Sequence, residues 1–303
     1  MKKEDFSFNG HGGKELHGTT YRPESPAGAL GVIHGMAEHR KRYDEFARDL
    51  TEKNYSVSVY DQRGHGETAI KNRDSLGHIG PEEGWESLLK DSSRFLEEIK
   101  VDDGTPLYLF GHSMGSFLAR HLIAEEGDKF EGAIFSGTGK INSLVMRLVH
   151  PAAKVERWLL GEDKESYLME KLLFSSNNAE FEPADTPFDW LSRDVEAVKD
   201  YVNDELSGFS CTTGFYETFI HGMKQLASIE EGKEVPEDLS VLFISGEKDP
   251  VGGREVAKLA ETYSRAGVED VDYRIYEGAR HELINEINRD EVIYDLISWL
   301  EGV

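Results

Sequence analysis

A chain of 303 residues, 38% hydrophobic and 10% aromatic, can bury a core of ordinary size, and its composition excludes disorder and low complexity. A formal charge of −24 opposes nucleic acid, whose phosphates it would repel, and weighs against anionic membrane, while leaving neutral esters open. One cysteine, Cys211, excludes an intramolecular disulfide and a multi-cysteine metal site, and it reads as a small buried apolar residue.

The chain starts Met1-Lys2-Lys3-Glu4-Asp5 with no apolar leader, and no window reaches the ~18 apolar residues of a membrane span. A cytoplasmic protein is the expectation. Phe6 to Phe8, a turn at Asn9-Gly10, and Glu15 to Tyr21 predict an N-terminal β-hairpin. Short apolar runs follow at 28–33, 55–60, 107–110, 132–135, 241–245 and 271–276, most of them rich in β-branched or aromatic residues. Such runs suit parallel strands covered on both faces. Helical patterns lie between them near 41–53, 82–100, 114–126, 253–266 and 287–301, and Trp85, Leu88, Leu89 and Phe95 mark the buried stripe of the second. This alternation predicts an α/β fold with a mostly parallel sheet and helices on both faces.

From Lys140 to Pro236 the alternation stops. A structureless loop of that length is implausible, and helical patches recur at Leu144 to Val149, Trp158 to Leu160 and Val195 to Val202. The expected organisation is a core of residues 1–139 and 237–303 with a helical cap inserted at 140–236. Trp158, Leu159, Leu160, Tyr167, Leu168, Leu172, Leu173 and Phe174 could form an apolar tunnel wall there, or equally pack the cap's own core.

Gly111-His112-Ser113-Met114-Gly115 matches G-x-S-x-G between a strand-like and a helix-like run, which suits a nucleophile elbow. A serine on so tight a turn is strained and its flanking residues nearly touch, which calls for Gly111 and Gly115. An acid and then a histidine should follow in loops after later strands. Asp249, after the 241–245 run, is the expected acid because Asp-Pro suits a rigid turn; Glu247 is its rival. His281 is the one histidine after that acid and the expected base. Oxyanion donors are expected at the N–H of Met114 and, in the loop His34-Gly35-Met36-Ala37-Glu38-His39, at the N–H of Met36. The spacing of His34, Glu38 and His39 fits no zinc pattern, so neither metal nor cofactor is expected.

These residues, with Asp61-Gln62-Arg63-Gly64-His65-Gly66 and Gly278-Ala279-Arg280-His281-Glu282, resemble the monoacylglycerol lipase and lysophospholipase-like branch of the α/β-hydrolases. The resemblance implies oxyanion donors at Met36 and Met114 and an acyl-binding wall in the cap. The Asp61 to Gly66 loop is expected to brace the oxyanion loop. Two positions depart from the family pattern: Thr68 stands where Ser is common, and Ala37 where Gly is frequent. In the cap, Asp189-Trp190-Leu191-Ser192-Arg193-Asp194 resembles bacterial lysophospholipase-like members.

The leading expectation is hydrolysis of a single-acyl carboxylic ester, a small molecule or lipid, through an acyl-enzyme, with at most transient membrane contact through the cap. A proline iminopeptidase-like aminopeptidase would need cap carboxylates for a substrate ammonium, for which Glu180, Glu182 and Asp185 are candidates. A non-catalytic binding protein of the same fold is the third reading.

Overall fold

The computed structural model describes residues 1–80, 84–100, 102, 104–232 and 235–303. Among them, eight strands form one sheet: β1 Lys2–Asn9, β2 Glu15–Arg22, β3 Gly28–Ile33, β4 Tyr55–Asp61, β5 Leu107–His112, β6 Gly132–Ser136, β7 Ser240–Gly246 and β8 Val271–Tyr276. Their spatial order is β1-β2-β4-β3-β5-β6-β7-β8. β2 runs antiparallel to both β1 and β4, and every other pairing is parallel.

From β3 through β7 every strand residue is buried, because both faces are covered. Successive side chains alternate between two cores. Leu30, Val32, Leu242 and Ile244 face Phe46 and Leu50 of α1 (Asp44–Glu52) and Val292 and Leu296 of α10 (Arg289–Leu300). Ile33, Leu109, Val241 and Phe243 face the opposite way. There they join Leu88 and Phe95 of α3 (Gly84–Glu98), Leu118 and Leu122 of α4 (Met114–Glu126), and Leu259 of α9 (Val256–Ala266). A short helix, α2 (Gly66–Asn72), follows β4 and was not expected. The expected helix at 82–100 begins on residues 82–83, which lie outside the described residues.

Two details correct the sequence reading. The hairpin does not turn tightly at Asn9-Gly10: residues 10–14 form the connection, with a 3-10 turn over His11–Gly13 and a bond from Gly10 N–H to the Lys14 carbonyl of 2.7 Å. β8, an edge strand, is mostly partly buried or exposed rather than covered on both faces.

Between β6 and β7 the chain builds α5 (Ser143–Leu160), α6 (Tyr167–Phe174), α7 (Val195–Asn203) and α8 (Thr213–Gly232). Side-chain caps start three of them: Asn142 accepts from Val145 N–H, Ser166 from Met169 N–H, and Asp194 from Glu196 and Ala197 N–H. α8 ties this segment to the sheet layer. A β-carbon on its Gly222 would lie 2.0 Å from the Trp85 ring of α3, so only glycine allows that approach.

Candidate active site

β5 runs straight into α4, and Ser113 is the single residue between them, at φ 50° and ψ −119°. A non-glycine residue at positive φ is strained, and here close packing enforces it. A β-carbon on Gly115 would sit 2.1 Å from the Ile33 carbonyl oxygen, and one on Gly111 would sit 2.6 Å from the Gly115 carbonyl oxygen. The turn is held by bonds from Ser113 N–H to the Ser136 carbonyl (2.9 Å) and from Ser116 N–H to the Ser113 carbonyl (2.9 Å).

The loop after β3 lies against this turn: a β-carbon on Gly35 would be 3.2 Å from that of Ser113. Gly35 N–H donates to Glu38 Oε1 and Ala37 N–H to His65 Nε2 (3.2 Å), while Met36 N–H has no acceptor among the described residues. Met114 N–H, at the first position of α4, also has none. Both methionines line the same cavity as Ser113.

Two neutral imidazoles brace this loop. His34 Nδ1–H donates to the Gly35 carbonyl (2.8 Å), and its Nε2 accepts from Gln62 N–H (3.0 Å). His65 Nδ1–H donates to the Arg63 carbonyl (2.8 Å), which frees Nε2 to accept from Ala37. Burial lowers the pKa of both, His65 to about 3, so each keeps one acceptor nitrogen at neutral pH. Gln62 Nε2 adds a bond to the His34 carbonyl (2.7 Å), and Thr68 Oγ1 donates to the Asp61 carbonyl (2.7 Å). His34, Glu38 and His39 do not converge: Glu38 turns to Gly35, Arg42 and Tyr43, and His39 to Asp204.

His281, after β8, and Asp249, after β7, are both buried, with His281 Nδ1–H donating to Asp249 Oδ1 at 2.9 Å. Asp249 also accepts from Val251 N–H (2.9 Å) and Ser245 Oγ–H (3.2 Å). Burial would raise its carboxyl, but the charge and hydrogen bond of His281, with the Val251 N–H, hold it below the usual range. Burial would lower His281, but the charge and hydrogen bond of Asp249 outweigh it and raise its pKa. Glu247 is elsewhere, accepting from Gly278 N–H (2.8 Å) and pairing with Arg254.

Sequence reasoning missed the surroundings of His281. Its ring packs against those of Trp190 and His112, with centroids 4.8 Å from each. Nearby, Arg42 bridges Glu38 (3.0 Å) and Glu282 (2.6 and 2.7 Å). Burial would raise the Glu282 carboxyl, and Arg42 overcomes this to hold it low. Burial lowers His112 to about 4, with the His281 charge adding to it. These partners converge from distant parts of the chain, so no local spacing announces them.

Ser113 and His281 share a cavity of about 460 Å³. Phe117, Phe174, Phe188, Phe209 and Phe219 supply apolar wall, and Glu170 of α6 adds a carboxylate. Of the eight residues considered for a tunnel wall, Tyr167 and Phe174 line it, and Leu173 packs on the core. Trp158, Leu159, Leu160, Leu168 and Leu172 do neither and are exposed. The reason is helical geometry: the inward face of α5 is taken by His150, Ala153 and Glu156, which turns the other stripes outward. Glu180, Glu182 and Asp185 are not on the cavity wall either. Cys211 is buried, and burial pushes its thiol pKa up.

A serine on a strained strand-to-helix turn, in an eight-stranded sheet of this order, defines a serine hydrolase of the α/β-hydrolase fold. The chain belongs to the family described as serine aminopeptidase, S33, which matches residues 24–288. It is 25% identical to a monoacylglycerol lipase of Mycolicibacterium smegmatis, over 98% of this chain and 97% of that protein. It is 27% identical to the monoglyceride lipase of Mus musculus, over 91% of this chain and 83% of that protein. A highly thermostable carboxyl esterase from Bacillus coagulans, solved with glycerol, superposes with a TM-score of 0.89 at 28% identity, covering 100% of this chain and 99% of that one. Its likeness thus falls in the monoacylglycerol lipase-like branch of ester hydrolases. Among the described residues no helix is long and apolar enough to cross a membrane.

Proposed function

We propose that this chain hydrolyses carboxylic esters carrying one acyl chain, monoacylglycerol or lysophospholipid among them. Ser113 Oγ attacks the ester carbonyl while His281 Nε2 takes its proton, and Asp249 holds the imidazole in the required tautomer. The N–H groups of Met36 and Met114 receive the oxyanion. The carbon–oxygen bond to the alcohol then breaks as His281 returns the proton to it. Water, deprotonated by His281, releases the fatty acid from the acyl-enzyme. The observation that carries this reading is the strained Ser113 sharing an aromatic-walled cavity with the Asp249-bonded His281.

The exposed apolar residues of α5 and α6, Trp158 and Leu168 among them, suit transient contact with a lipid surface. A second reading, aminopeptidase activity, draws on one observation: Glu170 offers the cavity a carboxylate that could meet a substrate ammonium.

The test compares hydrolysis of p-nitrophenyl esters from acetate to laurate with that of monoacylglycerol, lysophosphatidylcholine and a prolyl-anilide, using Ser113→Ala as control. Ester turnover led by monoacylglycerol and abolished in the variant is the expected result. Turnover of the anilide alone would replace the ester reading with the peptidase one. No turnover, together with no phosphonate labelling of Ser113, would leave a binding protein.

A further inference from the structure

The sequence motif Asp189-Trp190-Leu191-Ser192-Arg193-Asp194, whose Trp190 and Leu191 line the cavity, is laced to the loop that carries His281. Glu282 N–H donates to the Leu191 carbonyl (2.7 Å), Ser192 Oγ–H to the Asn285 carbonyl (2.8 Å) and Arg193 Nη2–H to Asn288 Oδ1 (2.7 Å). Arg280 returns the contact by donating to the carbonyls of Ser192 (3.0 Å) and Asp189. The Trp190 ring rests on the His281 ring.

Glu286 fastens both sides at once. It is 1% exposed. Its Oε1 accepts from Arg193 N–H (3.0 Å) and Arg280 N–H (2.8 Å), and its Oε2 accepts from Arg193 Nε–H (2.9 Å) and Ile287 N–H (3.0 Å). A carboxylate is buried this deeply only when its oxygens are satisfied, and here the donors come from the two segments to be joined.

Resting on the reading of His281 as general base, we infer that residues 189–193 are a fixed strap that positions His281, with Glu286 as the positioning residue that secures it. Outside the strap, the His281 ring is held by its hydrogen bond to Asp249 and by packing against His112 and Gly137, which leaves the side towards Trp190 to be closed by the strap. The strap closes that side by packing Trp190 on the ring and tying down the backbone on either side of His281. Glu286 does not line the cavity, so its effect on the reaction must pass through the loop.

The experiment measures kcat, KM and the rate of phosphonate labelling at Ser113 for the full chain and for Glu286→Gln and Ser192→Ala, with melting temperature as the folding control. Because a displacement of ~1 Å in a catalytic group can cost ~100-fold, Glu286→Gln is expected to lower kcat and labelling by about 10-fold. KM should change less than kcat, staying within about twofold, since neither Glu286 nor Ser192 lines the cavity. Ser192→Ala removes one strap bond, should act in the same direction by a smaller factor, and decides the matter if Glu286→Gln fails to fold. Wild-type labelling in folded variants, or a rise in KM with kcat unchanged, overturns the inference while leaving the ester reading intact. Failure of the wild-type chain to label sinks the reading of Ser113 first, and leaves the strap no base to position.

Discussion

Strain at Ser113 has its source in close-packed backbone, since Gly115 leaves no room for a side chain beside the end of β3. That packing also brings the Met36 loop against the turn, so the proposed nucleophile and oxyanion donors share one constraint. His281 is governed by charge as well as by position. Its pKa is raised: burial opposes this, while Asp249 foremost, then Glu282 and Glu38, outweigh it. A general base works unprotonated, so kcat/KM should fall as pH drops through a midpoint above the ordinary imidazole value of about 6.5. Asp249→Asn removes the main charge holding the proton and should move that midpoint down. It should also lower kcat by about 10³–10⁴-fold by favouring the wrong tautomer. A pH–rate series on both proteins checks this, and a midpoint that rises or stays in the variant contradicts the assigned role of Asp249.

At the scale of elements, α5 and α6 divide their apolar residues between two tasks. One face packs inward and lines the cavity with Phe174; the other leaves Leu148 and Trp158 in solvent, Trp158 at 82% exposure. A side chain that exposed contributes little to folding, so Trp158→Ala with Leu168→Ala should change stability by no more than ~0.5 kcal/mol. If this face meets lipid, the same pair should slow hydrolysis of emulsified monoacylglycerol several-fold and leave dissolved p-nitrophenyl acetate unaffected. Equal rates on both substrates in mutant and parent would remove the lipid-contact proposal. The strap at 189–193 belongs to the same stretch between β6 and β7 but has the opposite character, stitched to the loop after β8 by hydrogen bonds.

Across the whole molecule, a net charge of −24 makes self-repulsion a standing cost of the compact state. Salt shortens the range of that repulsion from ~30 Å at 0.01 M to ~8 Å at 0.15 M. The melting temperature should therefore rise with sodium chloride over that range, by roughly 2 °C for each ~1 kcal/mol relieved. Calorimetry at several salt concentrations reads this directly. A falling temperature would mean that attractive surface pairs, such as Lys14–Asp74, outweigh the net charge.

The strand segments along the chain and the helix opening at Met114 were legible because each depends on local pattern: β-branched runs between turn signals, and a glycine-flanked serine. Chain order also singled out Ser113 and His281 as candidates, and left Asp249 and Glu247 as rivals separated by the Asp-Pro turn alone. Two matters were decided only in three dimensions. The preference of His281 for Asp249 over Glu247 depends on how the loops after β7 and β8 exit the sheet, which two residues of spacing do not encode. The fate of the apolar residues in α5 and α6, and the docking of Trp190 on His281, depend on which helix face meets which neighbour. Local sequence sets a helix's stripes, but the direction each stripe faces is set by the packing of segments far apart in the chain.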